Sequence, residues 1–204
     1  MAETKVAAEL AFDAFIESYM LKYEKAGYCL SKDPLFGLAA ARDIFGFDDL
    51  EFPLSVRSVS INDSMPSVSA KLLEEMAGGS LAKSKVLMLG ASYRPDVGDT
   101  RNSPSLQLVT ALLQRGAIVA VVDPLADELP GSSVPLHRTM PPANDWDVIV
   151  LAVAHRQFVD LDIGRWAGHS RPLVFDANGV LTKRALEALK QSGFPVAAIG
   201  RGSI

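Results

Sequence analysis

The stretch ASYRPDVGDTRNSPS, at residues 91–105, carries the side chains best suited to binding an anion. It follows the apolar run 86–89, where a parallel-sheet fold places the loop between a strand and the next helix. The guanidinium groups of Arg94 and Arg101 each offer a planar fork of N–H donors that matches a phosphate or a carboxylate. A helix beginning at Ser103 would add backbone N–H groups at its N-terminus. The residue types in this loop therefore predict an anion-binding site.

Two aspartates accompany the arginines, and they allow a second interpretation. In an anion site, we expect Asp96 and Asp99 to hold the guanidinium groups in place beneath the ligand. The same carboxylates could instead pair with Arg94 and Arg101 as a surface ion-pair cluster that binds nothing else. Both interpretations stay open at the level of residue types.

Asp123 ends the second predicted strand, where a dinucleotide-binding fold places its ribose-binding acid. The first turn, however, lacks the second and third glycines that let a backbone approach a pyrophosphate. Tyr93, Arg94 and Pro95 would fill that space. We therefore interpret Asp123 as the cap of the turn before Pro124 and expect a Rossmann-like fold whose site is not a dinucleotide site.

Composition narrows the class of protein. The chain has 204 residues, 49% of them hydrophobic and 22% charged, with a net charge of −4 and one cysteine, Cys29. This balance favours neither a nucleic-acid partner nor an anionic membrane, and one cysteine excludes an internal disulfide framework. No run approaches the length of a membrane span, and no signal-peptide pattern opens the chain. We expect a soluble protein of the cytoplasm.

The pattern of apolar residues divides the chain into a helical segment, residues 1–80, and an α/β domain, residues 81–204. Helices are predicted at residues 4–25, 35–44 and 64–76, the last opening at Met65-Pro66. Continuous apolar strands then alternate with helices, which predicts a Rossmann-like parallel sheet with helices on both faces. The predicted strands are 86–89, 118–122, 147–153, 173–176 and 196–199, the helices 103–115 and 182–192, and an irregular loop 130–142.

Four motifs in one order resemble the UDP-glucose/GDP-mannose dehydrogenase family. The loop of residues 89–104 resembles the motif that opens the family's C-terminal domain, and GAIVAVVDP at residues 116–124 resembles its next strand. Upstream, AGYCLSKDPLF at residues 26–36 resembles the segment of the catalytic cysteine, and INDSMP at 61–66 resembles the stretch that links the central and C-terminal regions. The resemblance implies a central helical remnant followed by a nucleotide-sugar-binding domain.

The resemblance also implies an activity and catalytic residues. The family oxidises C6 of a nucleotide sugar to a carboxylate with two NAD, through a thiohemiacetal and a thioester on a cysteine. Cys29 matches this nucleophile, Asp33 the acid that orients or activates water, and Lys32 a neighbour that favours the thiolate. The stretch TKVAAE at residues 4–9 is similar to the family's helix with a catalytic lysine, which would make Lys5 that residue.

In the sugar-binding domain, the resemblance assigns the ligand to Tyr93, Arg94, Arg101 and Asn178. Tyr93-Arg94 replaces the family's aromatic-lysine pair, and Arg101 is unchanged, whereas neutral Asn178 stands where the family often has a cation, so we expect weaker binding. Family-type NAD binding is not expected because no glycine fingerprint occurs between residues 1 and 204. A homodimer is expected through the apolar stripe of the first helix.

Three hypotheses about function follow from the sequence. In the first, the chain is a shortened nucleotide-sugar 6-dehydrogenase that supplies the UDP-sugar-binding part of an NAD-dependent oxidation. In the second, it is a non-catalytic module that binds a nucleotide sugar as a scaffold or regulator. In the third, it is a fragment or an engineered deletion of a full dehydrogenase.

Overall fold

The structure is a computed structural model that describes residues 33–200. The described residues form a parallel sheet of six strands in the order β3-β2-β1-β4-β5-β6, which is the strand order of a dinucleotide-binding fold. The strands are β1 (Lys85–Leu89), β2 (Ile118–Val122), β3 (Leu136–His137), β4 (Val148–Leu151), β5 (Leu173–Asp176) and β6 (Val196–Ala198). The chain order reverses between β1 and β4, so a crevice is expected at the carboxyl ends of these two strands.

Helices cover both faces of the sheet, as predicted. On one face, Val86 and Met88 of β1 pack in a core cluster with α3 (Pro104–Gln114). Side chains alternate along a strand, so Leu87 and Leu89 point to the other face. There they join a second core cluster with residues of three further helices: α4 (Arg156–Val159), α5 (Ile163–Ala167) and α6 (Lys183–Gln191).

Two further helices precede the sheet, namely α1 (Phe36–Ala39) and α2 (Pro53–Met76). A 3-10 turn at Asp33–Leu35 and a π turn at Ala40–Ile44 flank α1, which confirms the helix predicted at residues 35–44. The prediction that α2 opens at Met65-Pro66 is wrong. The helix begins with Pro53 at its first position, where a missing N–H costs nothing, and it continues through Pro66.

The chain divides into two compact units between Met65 and Pro66, within α2. In the second unit, Ala70 and Leu73 of α2 are fully buried in the same core cluster as Val86 and Met88. Backbone N–H groups of Gly78 and Gly79 bond the carbonyls of Glu75 and Glu74, which ends α2 at the predicted glycines. None of the helices at residues 33–200 is long and apolar enough to cross a membrane.

The predicted helices 103–115 and 182–192 are confirmed, and each has a side-chain cap. The Ser103 hydroxyl accepts from the N–H of Ser105, and the Thr182 hydroxyl accepts from the N–H of Ala185. The loop predicted at residues 130–142 contains the two-residue strand β3, which pairs with β2 and which sequence periodicity did not reveal. The predicted helix at residues 4–25 lies outside the described residues, as do Lys5, Cys29 and Lys32.

Candidate functional site

The β1–α3 loop, residues 90–103, lies where the parallel strands have their carboxyl ends, which we call the carboxyl edge of the sheet. It begins with a glycine, because neighbouring residues leave no room for a side chain there. Gly90 has φ +99°, and a Cβ there would lie 2.4 Å from the Cβ of Val153, just beyond β4. Farther along the loop, a Cβ on Gly98 would lie 2.5 Å from the carbonyl oxygen of Leu125. The loop is therefore packed against the chain that follows both neighbouring strands.

Asp123, at the end of β2, accepts hydrogen bonds from the first residues of this loop. Its side chain is fully buried, and Oδ2 accepts from the backbone N–H of Ala91 at 2.8 Å. The same oxygen accepts from the N–H and the hydroxyl of Ser92, each at 3.1 Å. Oδ1 accepts from the N–H groups of Leu125 and Ala126, both at 2.9 Å, which confirms the predicted turn cap. Asp123 thus fixes two loops at once.

The hydrogen bonds to Asp123 determine whether the backbone N–H groups of the turn after β1 can bind NAD. In a dinucleotide site, a glycine-rich first turn and the helix N-terminus after it hold the pyrophosphate. Here the N–H groups of Ala91 and Ser92 donate to the Asp123 carboxylate, so these two donors are already engaged and do not serve a pyrophosphate. The described residues at this turn therefore do not fit NAD.

The environment of Asp123 keeps it ionised. Burial alone raises the pKa of a carboxyl group, but hydrogen bonds from His155 and from the backbone of Ala91, Leu125 and Ala126 outweigh burial. The pKa of Asp123 is consequently held well below its ordinary value. A buried negative charge at the switch point of the sheet is thus a fixed part of the fold.

His155, which the sequence analysis did not identify, connects Asp123 to the middle of the loop. Its ring is fully buried, and Nε2 lies 3.1 Å from Oδ2 of Asp123. Nδ1 accepts a hydrogen bond from the backbone N–H of Asp96 at 2.9 Å. Because Nδ1 accepts, the proton of the neutral ring is on Nε2, which donates to Asp123. The His155 ring also packs against the Phe158 ring in a T-shaped contact, with ring centroids 5.6 Å apart.

Asp96 has a different role from the predicted one. We expected its carboxylate to hold an arginine side chain, but Oδ1 accepts from the backbone N–H of Arg156 at 3.0 Å, at the start of α4. Its φ of +56° is in the left-handed region, which a residue with a Cβ seldom adopts. Asp96 therefore attaches the loop to the chain after β4, and the prediction for this residue is wrong.

Asp99 does hold an arginine, as predicted. Nε of Arg101 lies 2.9 Å from Oδ1 of Asp99, and Nη2 lies 2.6 Å from Oδ2, a two-point ion pair. These bonds, with the backbone N–H of Arg101, lower the pKa of Asp99 to about 2. The side chain of Arg101 is nonetheless 80% exposed, against 27% for Asp99. The guanidinium is oriented from one side and open to solvent on another.

Arg94 and Tyr93 form the second cationic point of the loop. The guanidinium carbon of Arg94 lies 5.5 Å from the centroid of the Tyr93 ring, within the range of a cation–π contact. The backbone N–H of Tyr93 donates to the carbonyl of Asp99 at 3.1 Å and closes the loop on itself. Arg94 is exposed and Tyr93 is half-buried. The loop thus presents Arg94 and Arg101 from one hydrogen-bonded frame.

Asn178 reaches the same edge of the sheet from the loop after β5. Its Nδ2 donates to the carbonyl of Ala152, the residue that follows β4, at 3.0 Å. Asp176 organises this loop by accepting from the N–H groups of Asn178, Val180 and Leu181. Since β1 and β5 are the two neighbours of β4, the loops that carry Tyr93, Arg94, Arg101 and Asn178 end at one edge.

Asp33 is described, but it belongs to the other compact unit. It opens the short 3-10 turn before α1 and is half-buried. Its predicted partners Cys29, Lys32 and Lys5 lie outside the described residues. The structure therefore describes the predicted binding residues and one of the predicted catalytic ones.

The comparisons with known proteins agree with the loop motif. Residues 87–183 match the UDP-glucose/GDP-mannose dehydrogenase family, UDP binding domain. A UDP-N-acetyl-D-mannosamine dehydrogenase of Methanococcus maripaludis is 30% identical over 182 residues, which are 87% of this chain and 39% of that protein. A UDP-glucose 6-dehydrogenase of Rhizobium meliloti is 29% identical over 184 residues, 86% of this chain and 40% of that one.

A solved structure shares both fold and sequence with this chain. The crystal structure of an NDP-N-acetyl-D-galactosaminuronic acid dehydrogenase from Methanosarcina mazei superimposes with a TM-score of 0.71 at 27% identity. The match covers 86% of this chain and 38% of the other. The chain spans about 40% of the length of the curated relatives that it matches.

Proposed function

We propose, on the premise that this chain belongs to the UDP-glucose/GDP-mannose dehydrogenase family, that the carboxyl edge of its sheet binds the UDP part of a nucleotide sugar. The observation that supports this most is the β1–α3 loop itself. It presents two exposed guanidinium groups, Arg94 and Arg101, while its backbone is tied to the ends of two other strands. A loop of fixed shape with exposed cations suits a diphosphate.

Each predicted binding residue has a separate role in this proposal. Arg101, oriented by Asp99, binds a diphosphate oxygen or a sugar carboxylate through its guanidinium fork. Arg94 supplies the second cation, and Tyr93 offers a ring face for stacking. Asn178 contributes a hydrogen bond but no charge, so binding is weaker than in a relative with a cation there.

The chain's part in catalysis is a further element of the proposal. We infer that residues 81–204 bind the nucleotide sugar, and that residues 1–80 carry Cys29 as the nucleophile with Asp33, Lys32 and Lys5 as supporting groups. The overall reaction is the NAD-dependent oxidation of a UDP-sugar to a UDP-uronate, in the cytoplasm and in a homodimer. NAD itself is bound outside residues 33–200, since the first turn of the sheet does not fit it.

One observation favours a second candidate function. The backbone N–H groups of Ala91 and Ser92 at the first turn already bond the Asp123 carboxylate, which supports a domain that binds a nucleotide sugar and does not itself bind a dinucleotide. A chain of this kind can serve as a nucleotide-sugar-binding module without turnover. The two functions differ in one result: NADH formation that requires Cys29 supports the dehydrogenase, and binding without NADH formation supports the module.

Calorimetric titration of the 204-residue chain with UDP, UDP-glucose, GDP-mannose and NAD tests the binding proposal. We expect UDP and UDP-glucose to bind and Arg101→Ala to weaken both by about 10- to 100-fold, the size of one charge-assisted contact. Arg94→Lys should also weaken them because a point charge cannot replace a fork. Arg165→Ala, which removes an exposed arginine on α5, is the matched control and should bind as the unaltered chain does.

Two results would contradict the proposal. The first is that the unaltered chain binds none of the uridine nucleotides. The second is that Arg101→Ala lowers the melting temperature but leaves the affinity for UDP unchanged, since that result would make the arginine part of a structural ion-pair cluster. Tighter binding of GDP-mannose than of UDP-glucose would agree with a nucleotide-sugar site at this edge but would show that the site prefers guanine to uracil.

A further inference from the structure

His155 is a buried side chain with both ring nitrogens engaged, and it belongs to none of the motifs that the sequence analysis used. It follows β4 as the residue before α4, and its side chain is 1% exposed. Asp123, on its Nε2 side, comes from the end of β2. Asp96, on its Nδ1 side, comes from the middle of the β1–α3 loop. One imidazole thus joins three segments that are far apart in the chain.

The two bonds of His155 are not equivalent. Oδ2 of Asp123 has other donors in the N–H groups of Ala91 and Ser92 and in the Ser92 hydroxyl, so losing Nε2–H leaves that oxygen bonded. The N–H of Asp96 instead points at Nδ1 from a residue with φ +56°, a conformation that needs support from its surroundings. The Nδ1 acceptor is therefore the bond on which the shape of the loop depends more.

Asp96 lies two residues after Arg94 and three before Asp99, which in turn orients Arg101. The N–H of Tyr93 and the carbonyl of Asp99 close the segment that contains Asp96. We therefore expect a change in the backbone at Asp96 to alter the distance between the two guanidinium groups. Asp123 fixes the loop at Ala91 and Ser92. His155, together with the bond from the N–H of Arg156 to Oδ1 of Asp96, fixes it at the point between the two arginines.

We infer that His155 is a positioning residue for nucleotide-sugar binding: its unprotonated Nδ1 holds the N–H of Asp96 and thereby sets the separation of Arg94 and Arg101, with Asp123 fixing the ring in the required tautomer. This inference rests on the proposed function, because it assigns the two arginines to the ligand. His155 itself does not touch the ligand.

Two substitutions separate the two nitrogens. In His155→Asn, the amide oxygen is as far from the backbone as Nδ1, so it can accept from Asp96 but cannot reach Asp123. In His155→Gln, the longer amide reaches the Nε2 position, so it can donate to Asp123 but leaves Asp96 without its acceptor. Phe194→Leu is the stability control. Phe194 is buried in the core cluster that contains α6, and it lies just before β6, at the amino ends of the strands and away from the β1–α3 loop.

Calorimetric titration with UDP, well below the melting temperature of every variant, is the first measurement. We expect His155→Gln to weaken UDP binding at least tenfold and His155→Asn to weaken it no more than about threefold. Phe194→Leu should lower the melting temperature and leave the affinity unchanged. Equal losses of affinity in the two His155 variants, or losses in all three variants that follow their melting temperatures, would overturn the inference.

Hydrogen exchange of the Asp96 amide, measured by NMR without any ligand, is the second measurement. Protection of this amide should persist in His155→Asn and fall at least tenfold in His155→Gln. Equal protection in both variants overturns the positioning role whatever the titrations give. If the unaltered chain does not bind UDP, the proposed function fails, while the exchange result still decides whether His155 holds the loop.

Discussion

Asp123 and His155 form a buried hydrogen bond of 3.1 Å although the strands that precede them, β2 and β4, are not neighbours in the sheet. β1 lies between these strands, so the bond crosses the end of β1, where the β1–α3 loop leaves the sheet. The loop is bonded to both partners, at Ala91 and Ser92 by Asp123 and at Asp96 by His155. Its shape is therefore set by polar groups buried beneath it.

Replacing Asp123 by asparagine should strongly destabilise the sheet-containing unit. The amide keeps one acceptor oxygen, but its NH₂ group would face N–H donors that now bond a carboxylate oxygen. We expect a loss of about 3 kcal/mol or more in the free energy of unfolding, as for other buried charged groups that lose their partners. Urea denaturation followed by tryptophan fluorescence measures it, and a loss below about 1 kcal/mol would contradict it.

The stabilisation from Asp123 should depend on pH in one direction. Its pKa is lower in the folded than in the unfolded chain, so its contribution is complete above the unfolded value of about 3.9 and is lost as the pH falls toward the folded value. The difference in unfolding free energy between the unaltered chain and Asp123→Asn should hence be constant from about pH 5 to pH 8 and shrink below about pH 4. A difference that grows on acidification would contradict this sign.

Asp96→Ala should destabilise the loop more than Asp96→Asn does. Alanine loses the bond to the N–H of Arg156 and must adopt a φ of +56°, whereas asparagine tolerates that conformation and keeps an acceptor oxygen. We expect losses of about 1–2 kcal/mol for alanine and less than about 1 kcal/mol for asparagine. Thermal denaturation of both variants tests the order, and an equal loss would show that the carboxylate charge matters instead.

Asp99→Asn should weaken nucleotide binding with little effect on folding. The carboxylate is at the surface and orients Arg101 through two contacts, so an amide would release one nitrogen of the guanidinium. We expect the dissociation constant for UDP to rise roughly three- to tenfold, part of the value of a charge-assisted bond. Calorimetry gives the constant, and Asp127→Asn, which alters the separate pair with Arg138, is the control.

Apolar side chains exposed near α1 support the expectation of a homodimer. Phe36, Ile44 and Phe45 are 58%, 73% and 64% exposed, and exposed apolar side chains that form one patch are typical of a protein–protein interface. Sedimentation equilibrium should show a dimer at tens of micromolar, a concentration typical of a modest affinity. Ile44→Lys together with Phe45→Glu should yield a monomer with an unchanged circular dichroism spectrum, and a monomeric unaltered chain would contradict the prediction.

The sheet could be predicted because its strands are recognisable from their amino-acid composition. Runs such as Ile118–Val122 and Val148–Leu151 are continuously apolar and rich in β-branched residues, and glycines or capping hydroxyls bound the helices between them. α4, α5 and β3 could not be predicted, because four, five and two residues are too short to show a period. Their boundaries are set by tertiary bonds such as that of Asp96 to Arg156.

The site divides in the same way. Arg94 and Arg101 could be proposed as binding residues because a guanidinium near a strand end is recognisable from residue types alone. The pairing of Asp99 with Arg101 could be predicted because the two residues are only two positions apart. His155 was missed since its partners Asp96 and Asp123 are 59 and 32 residues away, and neither separation forms a local pattern. A histidine four residues after a continuous apolar strand was the signal available.

Pro66, inside α2, has a consequence for how the chain unfolds. Proline has no N–H to give to the carbonyl of Asn62, so the helical ladder lacks one bond close to where the two compact units divide. Helix cooperativity depends on an unbroken ladder, and the half of α2 with Ala70 and Leu73 is secured by the core of the sheet. We therefore expect the half that ends at Met65 to melt separately, so that unfolding proceeds through a partly unfolded species and not in one all-or-none transition.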